Sequence, residues 1–253
     1  MEELLVSKTE AVAFLKTITW EEGKTIPIIE APYRYRIIVH CSHAGRQTTE
    51  FANGFYPYFC NIELVSGAGN QIKAGANMVP ILPNGKFIMV VEQRPAQGVT
   101  NPSIAIISGE EIDLKQFGEY SSLEFPGGAV ENNETIKAGF LRELTEETGI
   151  EGQKATLFMQ KHPIYSSGSE IRGQGFYGVV HLSGFHHEKK VETDGGLVVF
   201  SLSEEEIKEN IKRGVICSGQ AAWLPWSFYK QAKSLGFGNE NEFFSRQEVK
   251  IIK

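Results

Sequence analysis

The clearest pattern in the sequence is a predicted amphipathic helix with a cluster of acids beside its apolar face. It lies within Gly128–Ile150, which reads GAVENNETIKAGFLRELTEETGI. Apolar residues recur there at four-residue spacing and predict one buried face: Ile136, Phe140 and Leu144. Gly149 stands where a C-terminal glycine cap belongs, and Asn132 or Asn133 can cap the N-terminus. The chain must therefore pack one side of this helix against other elements.

Three glutamates adjoin that apolar face: Glu143, Glu146 and Glu147. They span an arc of about 100° on the helix, so we expect their carboxylates to converge. Gly139 lies in the same arc and lacks a side chain, which predicts open space above the acids. Like charges at this spacing cost about 0.2–0.5 kcal/mol per pair, and Arg142 offsets only one of them. A hard divalent cation, Mg²⁺ or Mn²⁺, would compensate, although an acidic helix face taken alone is more often simply solvated.

The wider spacing is more specific than the acidic face. The pattern G-x5-E-x7-R-E-aliphatic-x-E-E-x-G-aliphatic is met at every position of Gly128–Ile150, and a chance match is on the order of 10⁻⁸ per starting position. The segment resembles the signature of the Nudix hydrolases. The resemblance implies an α/β/α sandwich with a mixed β-sheet. It also implies Mg²⁺- or Mn²⁺-dependent cleavage of a nucleoside diphosphate linked to another moiety.

The resemblance also assigns roles to residues of the signature. The implied metal ligands are the Gly127 carbonyl and three side chains: Glu143, Glu146 and Glu147. The implied structural residues are two glycines and an ion pair: Gly128, Gly149, Glu134 and Arg142. Catalytic roles are implied for Glu143, for Glu147 and for an acid before the last strand. For that acid, which would serve as general base, Glu192 is slightly favoured over Asp194, and Glu147 remains an alternative.

Segments outside the signature resemble the ADP-ribose pyrophosphatase and nucleoside diphosphate sugar hydrolase branch. Val90–Ala96 resembles the strand end at which an arginine, here Arg94, contacts substrate phosphate; the alternative is an exposed strand-terminal arginine without a functional role. Pro163–Glu170 resembles a segment that would supply Tyr165 and Glu170 to substrate or metal. A polar loop of this kind is more often just a solvated turn.

Strand and helix patterns alternate from about residue 75 and predict a mixed α/β or α+β domain. Pro83-Asn84-Gly85 between two apolar runs predicts a β-hairpin. Residues 95–121, rich in Gly, Ser and Pro, are expected to form a long connection. Helical patterns follow at Glu204–Lys212 and at Ala221–Leu235, where Pro225 interrupts the second.

The first part of the chain carries a different pattern. A short helical pattern at Ala11–Lys16 precedes extended segments at Tyr33–Val39 and Phe55–Val65. We therefore divide the chain into an N-terminal β-rich extension, residues 1–75, and a Nudix domain with C-terminal helices, residues 76–253. The resemblance implies that the extension supports dimerisation or base recognition, so we expect a homodimer.

Charge and cysteine content limit the partners and the compartment. The formal net charge of −6 argues against binding to nucleic acid or to an anionic membrane, since both need clustered Lys and Arg. Three widely spaced cysteines fit a reducing compartment, and no window approaches eighteen consecutive apolar residues. We expect a cytoplasmic protein.

Two classes of function remain open. The first is a pyrophosphohydrolase that cuts ADP-ribose or a related nucleoside diphosphate sugar to a nucleoside monophosphate and a sugar phosphate, with dinucleotide polyphosphates, NADH and coenzyme A as alternative substrates. The second is a non-catalytic sensor of nucleotide sugars. The complete set of signature acids favours the enzyme, because such sensors typically lose some of these acids.

Overall fold

The structure is a computed structural model that describes residues 24–30, 34–41, 57–65, 74–94, 102–131, 133–165, 174–184 and 197–251. The chain divides into two compact units. One unit comprises Met1–Ile72 and Tyr165–Gly173, and the other comprises Lys73–Ile164 and Gln174–Lys253.

The first unit contains a three-stranded antiparallel sheet of β1 (Lys24–Glu30), β2 (Arg34–Cys41) and β3 (Pro57–Val65), in that order. Strands β2 and β3 confirm the two extended segments expected from the sequence, and β1 is an additional strand. The helical pattern at Ala11–Lys16 lies outside the described residues.

The second unit is built on a large mixed sheet. Its strands are β4 (Ala74–Ile81), β5 (Phe87–Gln93), β8 (Ser121–Glu124), β9 (Gly127–Val130), β10 (Lys154–Gln160), β11 (Ile164–Tyr165), β12 (Gln174–Leu182), β13 (Val198–Leu202) and β14 (Phe244–Lys250). The main order is β13-β5-β4-β12-β10-β14; β8 pairs with β5, β9 with β4 and β11 with β12. Strands β4 and β12 are parallel, which makes the sheet mixed.

The hairpin predicted at Asn84-Gly85 is confirmed, and the two strands that it joins diverge beyond the turn. Gly85 has a φ of 80°, and the Leu82 N–H donates to the Lys86 carbonyl at 2.8 Å. Beyond the turn, β4 and β5 diverge, because β5 pairs with β8 whereas β4 pairs with β9. The chain therefore crosses from one strand to the other between Glu124 and Gly127.

Helices cover both faces of this sheet: α1 (Ile136–Thr148) on one face, and α2 (Glu204–Lys212) and α3 (Leu224–Leu235) on the other. On the α1 side, Phe140 and Leu144 pack in a cluster with Met78. On the opposite side, the second cluster joins side chains of α2 and α3 to odd-numbered residues of β5: Ile207, Trp226, Tyr229, Phe87 and Met89. This arrangement confirms the expected α/β/α sandwich.

One sequence expectation about local structure was wrong. The segment expected to be a long connection contains a hairpin of β6 (Ile104–Ile107) and β7 (Glu110–Asp113), because Ser108 and Gly109 adopt φ angles of 54° and 79° and close a tight turn. The helical segment expected from Ala221 changes character at Pro225: a π-helical turn at Gly219–Trp223 precedes α3, and Pro225 lies in the first turn of α3, where its missing N–H is tolerated.

A charged cluster joins α2 to α3 and predicts a pH-dependent stability. The Glu204 carboxylate accepts from the Nζ atoms of Lys230 at 2.9 Å and Lys233 at 2.7 Å, and it pairs with Lys208 at 3.0 Å. Partial burial opposes ionisation of Glu204, but hydrogen bonds from these lysines outweigh it and hold the pKa of this carboxyl well below its usual 4.5. A group whose pKa is lowered by folding stabilises the fold above the unfolded pKa, and that stabilisation is lost as the pH falls.

We therefore expect Glu204→Gln to lower the free energy of unfolding by about 1 kcal/mol at neutral pH. The difference from the wild type should shrink below the usual Glu pKa of 4.5. Urea unfolding at a series of pH values measures this. Glu205→Gln is the matched control, because Glu205 is an exposed neighbour in the same first turn. An equal loss in both variants would contradict the prediction.

Candidate active site

Capping residues at both ends fix the boundaries of α1. Thr135 accepts a hydrogen bond from the Ala138 N–H at 3.1 Å, and Gly149 adopts a left-handed conformation with a φ of 72°. The predicted glycine cap is confirmed. The predicted N-cap at Asn132 or Asn133 was wrong, because the helix begins only at Ile136 and the cap is the residue directly before it.

We expect Thr135→Ala to lower the free energy of unfolding by about 1 kcal/mol, since the Ala138 N–H then loses its acceptor. Asn133→Ala, at an exposed position two residues earlier, should change it by less than about 0.5 kcal/mol. Chemical denaturation of the two variants decides between the caps, and the opposite order would show that Asn133 caps the helix.

Arg142 fixes the loop that leads into α1. Its Nε and Nη2 atoms donate to the two carboxylate oxygens of Glu134, each at 3.1 Å, and Nη2 also donates to the Ala129 carbonyl at 2.6 Å. Glu134 in turn accepts from the Glu131 N–H at 3.1 Å. The structure thus brings the two residues of the implied ion pair together and joins β9 to α1.

The same arginine reaches the signature acids. Arg142 Nη1 lies 2.8 Å from a carboxylate oxygen of Glu143 and 2.8 Å from one of Glu146. Arg142 thus contacts three carboxylates, those of Glu134, Glu143 and Glu146, with a single positive charge. The Glu146 side chain remains 46 % exposed.

Glu143 is the most buried of the signature acids, with 8 % of the residue exposed. It lies directly against Gly128, where a Cβ would stand 2.5 Å from the carboxylate carbon and from both oxygens. Burial raises the pKa of Glu143 to about 7, against the opposing charge of Arg142. The Glu143 carboxylate thus packs against Gly128 in the space that a side chain would fill.

Glu147 is held at the start of β9. Its carboxylate accepts a hydrogen bond from the Gly127 N–H at 2.8 Å. Burial is the main cause that raises the pKa of Glu147 to about 9, and the charges of Glu143 and Glu92 add to it. The Gly127 hydrogen bond and the charge of Arg94 act in the opposite direction.

Two of the three signature carboxylates, those of Glu143 and Glu146, meet at Arg142 Nη1, whereas Glu147 turns to the Gly127 N–H. Among the residues that the structure describes, no group of three or more His, Cys, Asp or Glu side chains is arranged to hold a metal ion. The open space expected above Gly139 is also filled, since a Cβ there would lie 3.0 Å from Val130 Cγ2 and 3.3 Å from a Glu134 oxygen. Gly139 serves the close packing of α1 on β9.

The environment of Glu143 and Glu147 fits a hard cation nevertheless. Both carboxylates are withdrawn from water, and the charge of Glu143 raises the pKa of Glu147. Two carboxylates that are buried near each other favour either a shared proton or a divalent ion with oxygen ligands. Their chemistry thus agrees with a magnesium or manganese site.

Arg94 has two partners that the sequence analysis did not assign. Its Nε and Nη2 atoms donate to one oxygen of Glu124 at 3.0 and 2.9 Å, and Nη2 lies 2.5 Å from a carboxylate oxygen of Glu92. A signal for both was present. Glu92 and Arg94 are two residues apart at the end of β5 and so share a face, and Glu124 is a charged residue directly between two apolar residues, Leu123 and Phe125.

Four predicted site residues remain: Tyr165, Glu170, Glu192 and Asp194. Tyr165 ends β11 with 56 % of its surface exposed and belongs to the first compact unit. Glu170, Glu192 and Asp194 lie outside the described residues.

In the part of the chain that the structure describes, no helix combines the length and the apolar character needed to cross a membrane.

Comparisons with known proteins agree with this geometry. The crystal structure of an ADP compounds hydrolase matches with a TM-score of 0.50 at 12 % sequence identity, covering 87 % of this chain and 99 % of that chain, and this likeness supports the fold. No curated protein sequence matches the chain. Residues 75–226 match the family model of the NUDIX domain, whose members generally use divalent metals. Because that match spans more than half of the sequence, the chain belongs to the Nudix family and is a Nudix hydrolase.

Proposed function

We propose that this Nudix hydrolase is a divalent-metal-dependent pyrophosphohydrolase that cleaves ADP-ribose or a related nucleoside diphosphate sugar. One observation carries the proposal: two acids of a complete signature lie against Gly127-Gly128, Glu143 buried on Gly128 and Glu147 partly buried on the Gly127 N–H, and the charge of Arg94 acts on Glu147. Carboxylates that can hold a cation thus interact with a guanidinium that can bind phosphate.

Glu143 and Glu147 would hold the cation, with the Gly127 carbonyl as a further oxygen ligand. Glu146 completes the set that the signature implies, and it must first leave Arg142. When bound, Mg²⁺ or Mn²⁺ neutralises phosphate oxygens and lowers the pKa of a water molecule.

Side chains of the protein would bind the substrate and accept the proton of the attacking water. Arg94 donates hydrogen bonds to a phosphate oxygen of the substrate, and Tyr165 and Glu170 contribute to binding. A general base must take a proton from the attacking water at a distance of about 3 Å. We propose Glu192 for this role, with Asp194 and Glu147 as the alternatives.

The choice of substrate rests on the segments around Arg94 and Tyr165, which resemble the ADP-ribose and nucleotide-sugar branch. The solved structure that shares the fold is described as a hydrolase of ADP compounds, so compounds of that class come first in any test. Cleavage would yield a nucleoside monophosphate and a sugar phosphate.

The test is hydrolysis of a substrate panel by the purified chain. ADP-ribose, other nucleoside diphosphate sugars, a dinucleotide polyphosphate, NADH and coenzyme A are each incubated with Mg²⁺ or Mn²⁺, and products are separated by chromatography. We expect the first two classes to be cleaved fastest and EDTA to abolish cleavage. Preferential cleavage of NADH, coenzyme A or a dinucleotide would contradict the proposed substrate. Binding of a nucleotide sugar without any cleavage would instead identify a sensor.

A further inference from the structure

Arg94 belongs to a charged cluster on the strand pair β5–β8, next to the signature acids. In the antiparallel register, Glu92 stands opposite Ser122, and Glu124 follows two residues later on β8. Paired residues share a face of the sheet, and side chains alternate along each strand. Glu92, Arg94 and Glu124 therefore lie on the face of Ile88, which packs in the apolar cluster around α1.

Glu124 is a partner of Arg94 whose side chain is fully buried, which is uncommon for a carboxylate. A buried carboxylate needs a charged partner and further hydrogen bonds to remain ionised. One oxygen of Glu124 accepts from both Nε and Nη2 of Arg94. Glu92 contacts the same Nη2 atom from a position that is 28 % exposed. The two acids thus hold one edge of the guanidinium.

The third nitrogen of the guanidinium, Nη1, lies outside these contacts. Among the described residues, every hydrogen bond and ion pair of the Arg94 side chain involves Nε or Nη2, so Nη1 is the donor that remains for a ligand. The side chain is 34 % exposed. The charge of Arg94 also lowers the pKa of Glu147, so Arg94 interacts electrostatically with one of the signature acids.

We propose that Glu124 is a positioning residue whose buried carboxylate holds the Arg94 guanidinium with Nη1 available to a phosphate oxygen of the substrate. The inference rests on the proposed function, because it places the diphosphate on this face of the sheet. An arginine that is already immobilised loses less side-chain entropy when it binds phosphate. Removal of Glu124 should therefore weaken phosphate binding although Glu124 does not touch the substrate.

The test compares three variants: Glu124→Gln, Arg94→Ala and the double variant. Each is titrated calorimetrically, in Mg²⁺, with a methylene-bridged analogue of ADP-ribose that cannot be hydrolysed. We expect Glu124→Gln to raise the Kd about tenfold and Arg94→Ala to raise it at least as much. The double variant should bind no more weakly than Arg94→Ala. Additive losses, or an unchanged Kd in Glu124→Gln, would overturn the proposal.

Guanidinium rescue separates positioning from a structural role. Added guanidinium ion should restore analogue binding to Arg94→Ala, because Glu124 can hold the free ion, and should fail to restore it to the double variant. Thermal melting shows whether each variant folds, and Glu124→Gln keeps the shape of the buried side chain. Rescue of both variants alike would refute the role of Glu124.

Arg213→Ala is the matched control, since Arg213 is also held by two carboxylates, those of Glu209 and Glu111, at the end of α2. Its Kd should not change. Failure of the proposed function would give a different result: the wild type would bind the analogue and cleave no member of the panel, while the effect of Glu124→Gln on binding would persist. A wild type that does not bind the analogue would refute both.

Discussion

Glu147→Gln is expected to reduce kcat by roughly 10²- to 10⁴-fold without unfolding the protein. The glutamine amide loses the negative charge that a cation needs, yet its oxygen can still accept the Gly127 N–H. Because the pKa of Glu147 is raised to about 9, a neutral side chain is favoured at this position, and Glu147→Gln should leave the melting temperature unchanged or raise it. Activity at saturating Mg²⁺ and thermal melting measure the two effects.

Glu151→Gln is the control for that experiment, because it removes an exposed carboxylate just beyond the same helix. It should retain wild-type activity. If Glu147→Gln kept more than about a tenth of the wild-type kcat, Glu147 would not belong to the metal-binding or catalytic set. A large fall in melting temperature would instead attribute the lost activity to damage of the fold.

Gly128→Ala is expected to remove most of the activity at little cost in stability. The new Cβ would lie 2.5 Å from the Glu143 carboxylate, which is the end of a flexible side chain and can rotate away. We expect a loss of about 10² in kcat, since a ligand or catalytic group displaced by about 1 Å loses its geometry. Full activity would show that the packing of Glu143 against Gly128 has no role in catalysis.

The neighbouring variant Gly127→Ala should behave in the opposite way. Its Cβ would lie 2.4 Å from the Ala76 carbonyl oxygen and 2.6 Å from the Asn77 Cα, both of which belong to the backbone of β4. Strands β4 and β9 would have to separate, at a cost of about 3 kcal/mol or more. Urea unfolding of the two variants provides the comparison, and equal stabilities would contradict it.

Local patterns predicted the elements whose cause is local. The four-residue spacing of Ile136, Phe140 and Leu144 predicted the buried face of α1, and Asn84-Gly85 predicted the β4–β5 hairpin. The hairpin of β6 and β7 escaped prediction because its turn uses a serine with a φ of 54°, a conformation that serine adopts rarely. Strand β14 was also missed, because most of its residues are polar.

The family, the α/β/α architecture and the helix that carries the acids could all be predicted from spacing along the chain. The direction in which each carboxylate turns could not, because it depends on contacts made in the folded protein. Arg142 contacts Glu143 and Glu146 while it also reaches Glu134 on the preceding loop and Ala129 in β9, and Arg94 meets Glu124 because two strands thirty residues apart pair in one register. Electrostatic partners of this kind depend on distances through space, which no local pattern records.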